Sequence, residues 1–323
     1  MLFLIIPILF SFPFDDNILM NEEIASIKYY DQRLITKQPK PRYQILGDQY
    51  PDWLGKVDGN KKINSISLPG THETCARHGG DAVECQTLSL EEQLLNGVRV
   101  LDIRCRHINN CFMIHHDMVY QELSFGSGVR DVCIKFLQDH LTEFIYMVVK
   151  EEYNSEGNTR TFEETMQSYV NDYFYLEEGS PILDQVRGKI VLLRRFRSSI
   201  TPLGNELSFK DNCIFTSVTT ITARIQDYYQ VATLFDRPNK WSKVNQLLSE
   251  AKSNTDENEL FMNFGSGATM WCYPYSTAAY INPLIGNYLE YSQSEAYVGT
   301  IMFDFINKYY GNLIYHVIKR NYD

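Results

Sequence analysis

The stretch Leu68–His116, LPGTHETCARHGGDAVECQTLSLEEQLLNGVRVLDIRCRHINNCFMIHH, decides the fold class. Its two halves share one form. INSISLP (Ile63–Pro69) and VRVLDIR (Val98–Arg104) are apolar runs that read as strands, and each breaks into a polar cluster at its C-terminal end. Between them LSLEEQLLNGV spaces its apolar residues as a helix does, with Ser89 as the cap and Asn96-Gly97 as the stop. CFMIHH then reads as a further extended run. In a parallel barrel the C-terminal ends of the strands are where chemistry collects.

Working outward, the same unit repeats. A helix is expected over about Val129–His140 and a strand in EFIYMVVKEE, followed by the TFEETMQSYVNDYF helix and the KIVLLRRF and CIFTSV strands. After these come the WSKVNQLLSEAK helix, the LFMNFGS strand, the LIGNYLEYS helix, the VGTIMFDFI strand and the LIYHVIKRN helix. Alternating strands and helices specify a parallel sheet, either a closed barrel or an open doubly wound sheet. No G-x-G-x-x-G follows the first strand, so the nucleotide-binding open sheet lacks its usual signature. A chain of 323 residues fits one α/β barrel with a short N-terminal lead, residues 13–50, expected to cross the barrel surface.

Composition narrows the partners. A net charge of -10 argues against nucleic acid, which needs a basic stripe, and against holding an anionic membrane by broad electrostatics. The first twelve residues, MLFLIIPILFSF, are too few to span a bilayer and read as a signal peptide, which places the protein outside the cell, in a lumen or at the cell surface. In an exporting compartment the close spacings nominate the pairs Cys75–Cys85 and Cys105–Cys111 among seven cysteines. No C-x-x-C pair is present, so structural zinc is not expected.

His72, Arg104 and His116 supply the chemistry of the opening stretch. Two imidazoles can act as base and acid near neutral pH. A guanidinium between them stays charged and grips two oxygens of an anionic phosphorus centre. The set suits phosphodiester cleavage without a metal. On an extended run neighbouring side chains face opposite ways, so only one of His115 and His116 can point into a barrel mouth.

PGTHET (69–74), LDIRCR (101–106) and the two histidines followed by Tyr120 resemble the X region of phosphatidylinositol-specific phospholipase C in its bacterial, metal-independent form. MVVKEEY (147–153), GKIVLLRRF (188–196), ARIQDYY (223–229), FMNFGSG (261–267), PYSTAAYINP (274–283) and IMFDFI (301–306) fit the same family in order and spacing. The likeness runs from about Trp53 to the C-terminus and implies a distorted (β/α)8 barrel over residues 51–323. It implies His72 as general base on the inositol 2-hydroxyl, His116 as general acid on the diacylglycerol oxygen, Arg104 as the stabiliser of the five-coordinate phosphorus and Asp304 as the partner of His72. It places Asp102, which also holds Arg104, among the substrate-binding residues with Lys150, Arg195, Asp227 and Tyr229, the last four lining the inositol pocket. Arginine at position 104, where calcium-dependent relatives have an oxygen ligand, implies that no cofactor is needed.

This sequence departs from the family at three places. Glu73 stands where bacterial relatives have aspartate beside the general acid, Glu151 replaces a second lysine and makes the pocket less positive, and the tryptophan-bearing short helix after the first histidine is not recognisable. Met270 and Trp271, near Tyr273 and Tyr275, suit a membrane interface at the barrel rim. The resemblance implies a monomeric, peripheral enzyme releasing diacylglycerol and inositol 1,2-cyclic phosphate from phosphatidylinositol. Cleavage of glycosylphosphatidylinositol anchors and a non-catalytic lipid-binding barrel are the alternatives.

Overall fold

The computed structural model describes residues 49–292 and 296–322; the apolar N-terminal run and most of the lead lie outside them. Twelve strands follow in chain order: β1 (Leu68–Thr71), β2 (Val100–Ile108), β3 (Cys111–His116), β4 (Val119–Ser124), β5 (Ile145–Glu151), β6 (Phe174–Tyr175), β7 (Ile190–Arg194), β8 (Asn205–Glu206), β9 (Ile214–Val218), β10 (Thr222–Gln226), β11 (Leu260–Phe264) and β12 (Thr300–Phe303). Their spatial order is β6-β7-β5-β2-β1-β12-β11-β10-β9, and every step but the last is parallel. Helices outside and the packed barrel interior bury these strands on both faces, which is why β5, β7, β11 and β12 are nearly continuous apolar runs.

The two ends of that sheet curl to meet, and side chains join them where ladder pairing stops. Glu206 N, on β8 beside β7, donates to Thr220 Oγ1 at 2.8 Å, Ser208 N donates to Ser217 Oγ at 2.9 Å, and Thr219 Oγ1 donates to Glu206 O. The result is the distorted (β/α)8 barrel expected, in a single α/β domain. Among the described residues no helix is long and apolar enough to cross a membrane.

β2 overshoots the barrel, which matters for the site. It turns at Asn109 and Asn110, both at positive φ (50° and 62°), and β3 returns antiparallel from Ile108↔Cys111 to Cys105↔Ile114. That hairpin carries His116 back to the barrel mouth. The Leu90–Leu95 helix has its expected cap: Ser89 Oγ accepts from Glu92 N at 3.2 Å while Glu92 Oε2 accepts from Ser89 N at 2.7 Å. Gly97, at φ 102°, ends it.

Several local expectations are corrected. The first strand starts at Leu68, because Ile63–Ser65 forms a 3-10 turn, so Gly70 and Thr71 belong to the strand. The TFEETMQSYVNDYF helix stops at Tyr169, and Phe174–Tyr175 pairs with β7. ARIQ in ARIQDYY is a strand, β10, and its partner β9 is antiparallel. The Pro274–Tyr291 helix runs through Pro283 rather than starting after it. None of the seven cysteines is in a disulfide, and six of them are buried, so neither nominated pair forms. Close spacing in sequence was no guide, because those thiols pack as small apolar groups.

Candidate active site

A cavity of about 520 Å³ opens at the C-terminal end of the barrel, within the range of small-molecule sites. His72, Arg104, His116, Lys150, Arg195, Asp227, Tyr229 and Asp304 line it. Strand ends as much as 232 residues apart in sequence thus converge on one space.

His72 follows β1, and its Nδ1 lies 2.9 Å from Asp304 Oδ1, just past β12. Arg104 Nη2 lies 3.0 Å from His72 Nε2. A guanidinium only donates and a carboxylate only accepts, so this geometry specifies Nδ1–H toward Asp304 and a lone pair on Nε2. Burial by itself would lower the His72 pKa, but Asp304 outweighs it and holds the value above 6.5. Asp304 in turn is only 1% exposed, and its Oδ2 has no hydrogen-bond partner among the described residues. Gln86 Nε2 donates to both His72 O and Phe303 O, tying the two strand ends together.

Arg104 is the hub. Its Nη2 donates to Asp102 Oδ2 at 3.1 Å, and its Nη1 ion-pairs with Glu73 and lies 3.9 Å from Glu152 Oε2. Burial opposes the charge, yet these three carboxylates hold Arg104 protonated well beyond its ordinary value. Asp102 is buried behind the arginines, not facing the cavity, so its placement among substrate contacts is corrected: it anchors Arg104 and receives Glu73 N at 3.1 Å. Burial would raise its carboxyl, but Arg104 and Arg195 hold it well below the carboxylate range.

His116 Nδ1 donates to Val83 O at 2.8 Å, which leaves Nε2 for the site. Glu73 Oε1 lies 3.8 Å from that Nε2 and also against Arg104. The longer side chain therefore still reaches the His116 side of the site. Glu73 is 3% exposed, and burial pushes its pKa up against the pull of Arg104 and the histidines. His115 faces away, buried with Nδ1 3.2 Å from Asp117 O, and burial drops its pKa to about 4.

Lys150 donates to Glu152 Oε2 at 2.6 Å. Glu151, between them, is exposed and does not line the cavity, so the expected loss of positive charge in the pocket is misassigned. Residues two apart on a strand share a face, and the acid that faces Lys150 is Glu152. Against the upward push of burial, Arg104 and Lys150 hold the Glu152 carboxyl below its usual value. Arg195 stacks 3.5 Å over the Phe209 ring and reaches Asp227 Oδ2 at 4.0 Å. Tyr229 Oη donates to Asp211 Oδ1 at 2.7 Å.

Sequence reasoning missed Glu152, Phe209, Asp211 and Lys240. The last is fully buried, donating from Nζ to Gln226 Oε1 at 3.0 Å and Tyr228 O at 2.8 Å, and so braces the segment that carries Asp227 and Tyr229. Burial lowers its pKa to about 7. Met270 and Trp271 are each 71% exposed on the rim beside the cavity-lining Ala268 and Pro274. Thr269 Oγ1 donates to Val231 O at 2.8 Å, which ties this loop to the one bearing Phe235, itself 93% exposed.

The family model for "Phosphatidylinositol-specific phospholipase C, X domain" matches residues 71–196. Over these residues the chain matches this X-domain family, and its matched relatives are enzymes. Within it, the matched relatives are of the bacterial type. The 1-phosphatidylinositol phosphodiesterase of Staphylococcus aureus (strain Newman) is 27% identical over 279 residues, covering 79% of this chain and 88% of the relative. The enzyme of that name from Listeria monocytogenes is 28% identical over 288 residues, covering 83% and 84%. A solved structure of a variant of the S. aureus phosphatidylinositol-specific phospholipase C superposes with TM-score 0.78 at 26% identity, covering 86% of this chain and 99% of that one. The fold is that of these enzymes.

Proposed function

We propose that the protein is a phosphatidylinositol-specific phospholipase C that works without a metal. The observation that carries the reading is the convergence of His72, paired with Asp304, and His116, paired with Val83 O, on one cavity with Arg104 between their acidic neighbours. His72 Nε2 takes the proton of the inositol 2-hydroxyl, and that oxygen attacks phosphorus. Asp304 fixes the tautomer and stabilises the imidazolium that forms. Arg104 now spends one donor on His72 Nε2; a phosphate oxygen accepts that donor instead, which frees the base and places the cation on the developing negative charge. His116, protonated on Nε2, gives its proton to the departing diacylglycerol oxygen, with Glu73 beside it. The ring product is inositol 1,2-cyclic phosphate.

Lys150, Arg195, Asp227 and Tyr229 bind the inositol hydroxyls and face. Met270 and Trp271, exposed on the rim, enter the membrane interface so that the cavity opens onto the lipid surface. The apolar start of the chain supports export, in keeping with a substrate outside the cell or in a lumen.

Diacylglycerol release from phosphatidylinositol vesicles in excess EDTA, beside phosphatidylcholine vesicles, tests the reading. Release only from phosphatidylinositol, lost in His72→Ala and in His116→Ala, is the expected result. Release that needs added calcium, or that persists in either variant, contradicts it.

A further inference from the structure

Cys85 has no part in the reaction above, yet it lines the same cavity. One ligand atom each from Cys85, His72 and Asp304 lie within 4.8 Å of one another. Two further facts mark this trio as more than a chance thiol. Asp304 Oδ2 is buried without a hydrogen-bond partner among the described residues, so a carboxylate oxygen is available at the cluster. The Cys85 thiol is fully buried and makes one weak bond, to Val83 O at 3.5 Å, which a metal–sulfur bond readily replaces.

We propose that Cys85, His72 and Asp304 form an inhibitory site for a thiophilic divalent cation, zinc above all. Thiolate, imidazole and carboxylate are the zinc donor set. Bound at about 2.0–2.3 Å in a tetrahedron, such donors stand roughly 3.3–3.8 Å apart, so the longer separations, 4.8 Å at most, close by up to about 1.5 Å while the 2.9 Å His72–Asp304 pair opens slightly. Three protein donors leave the fourth position to water from the open cavity. The Cys85 proton leaves to solvent, and His72 binds as neutral imidazole through its unprotonated nitrogen, either Nε2 once Arg104 Nη2 turns from it or Nδ1 once its proton has passed to Nε2. The thiolate selects against calcium and magnesium, which take oxygen ligands. Because the ion holds the proposed base and its aspartate together, occupancy stops turnover. The effect on turnover rests on the phospholipase reading; the binding does not.

Two measurements separate these. The full chain, freed of metal with EDTA and desalted, is titrated with cobalt(II) as a spectroscopic stand-in for zinc, beside Cys85→Ser, Cys85→Ala and Cys213→Ser. A thiolate-to-cobalt charge-transfer band is expected in the parent and in Cys213→Ser, and its absence in both Cys85 variants. Turnover in rising zinc is measured on the same proteins: EDTA restores the parent, and Cys85→Ser needs at least about tenfold more zinc for the same inhibition. No band in the parent, a band that survives in a folded Cys85 variant, or equal zinc sensitivity in Cys85→Ser overturns the site. A band without phospholipase turnover keeps the site and removes the reading on which inhibition depends.

Discussion

β2 is served by two arginines, a buried one just before its first residue and a partly exposed one near the barrel mouth, and they are treated oppositely. Arg99, at the N-terminal end, spends all five donors: Nε on Glu143 at 2.8 Å, Nη1 on Leu94 O and Val98 O, and Nη2 on Pro51 O and Tyr50 O, with Glu143 also ion-paired to Nη2. Phe136 packs at 4.7 Å beneath it, and Arg99 and Glu143 are both fully buried. Arg104, five residues on, sits among Asp102, Glu73, Glu152 and His72, and its side chain is still 14% exposed to the cavity. Around it Asp102 Oδ1 and Arg195 Nη1 face each other at 3.9 Å without a hydrogen bond. A closed cluster fixes the fold. An open one keeps donors and acceptors for something that is not yet bound.

The difference can be broken from either end. At the mouth, His72→Ala or His116→Ala is expected to lower kcat/KM by about 10²–10⁴, with the urea midpoint little changed. At the other end, Glu143→Ala leaves the Arg99 charge buried and unpaired and is expected to cost about 3–5 kcal/mol of stability in urea titration, while kcat of the folded fraction stays near the parent value. Loss of stability with His72→Ala, or of kcat with Glu143→Ala, would erase the distinction.

How much of this was legible beforehand follows the same line. His72, Arg104, His116 and Asp304 stand in local contexts that name them, a turn after a strand or an acid inside an apolar run. Glu152 was also legible, since strand alternation pairs it with Lys150 and turns Glu151 outward. Lys240 was not: a lysine in a polar helix reads as solvated, and only the packing of that helix on β10 and β11 buries it. The barrel's mode of closure was hidden too, because Thr219 and Thr220 resemble loop residues, and nothing marks Ser217 in the expected CIFTSV strand as a contact, until β8 lies beside them.

Smaller effects sharpen the picture of the mouth. Trp271→Ala is expected to weaken binding to phosphatidylinositol vesicles by about 1.5–3 kcal/mol in a sedimentation assay, while hydrolysis of a water-soluble short-chain substrate barely changes. The acid limb of the kcat/KM profile is expected above pH 6.5, because His72 must be neutral to act as base and Asp304 raises its pKa. Asp304→Asn removes that support and leaves burial, which lowers the pKa, so the limb moves to lower pH as the rate falls.

Phosphorus NMR of the parent with phosphatidylinositol micelles in excess EDTA, followed in time beside His72→Ala and His116→Ala, tests the central claim most directly. The account predicts a cyclic inositol phosphate signal that grows in the parent without metal and is absent in both variants. An acyclic phosphate as the first product, or a signal that appears only when calcium is added, would contradict it.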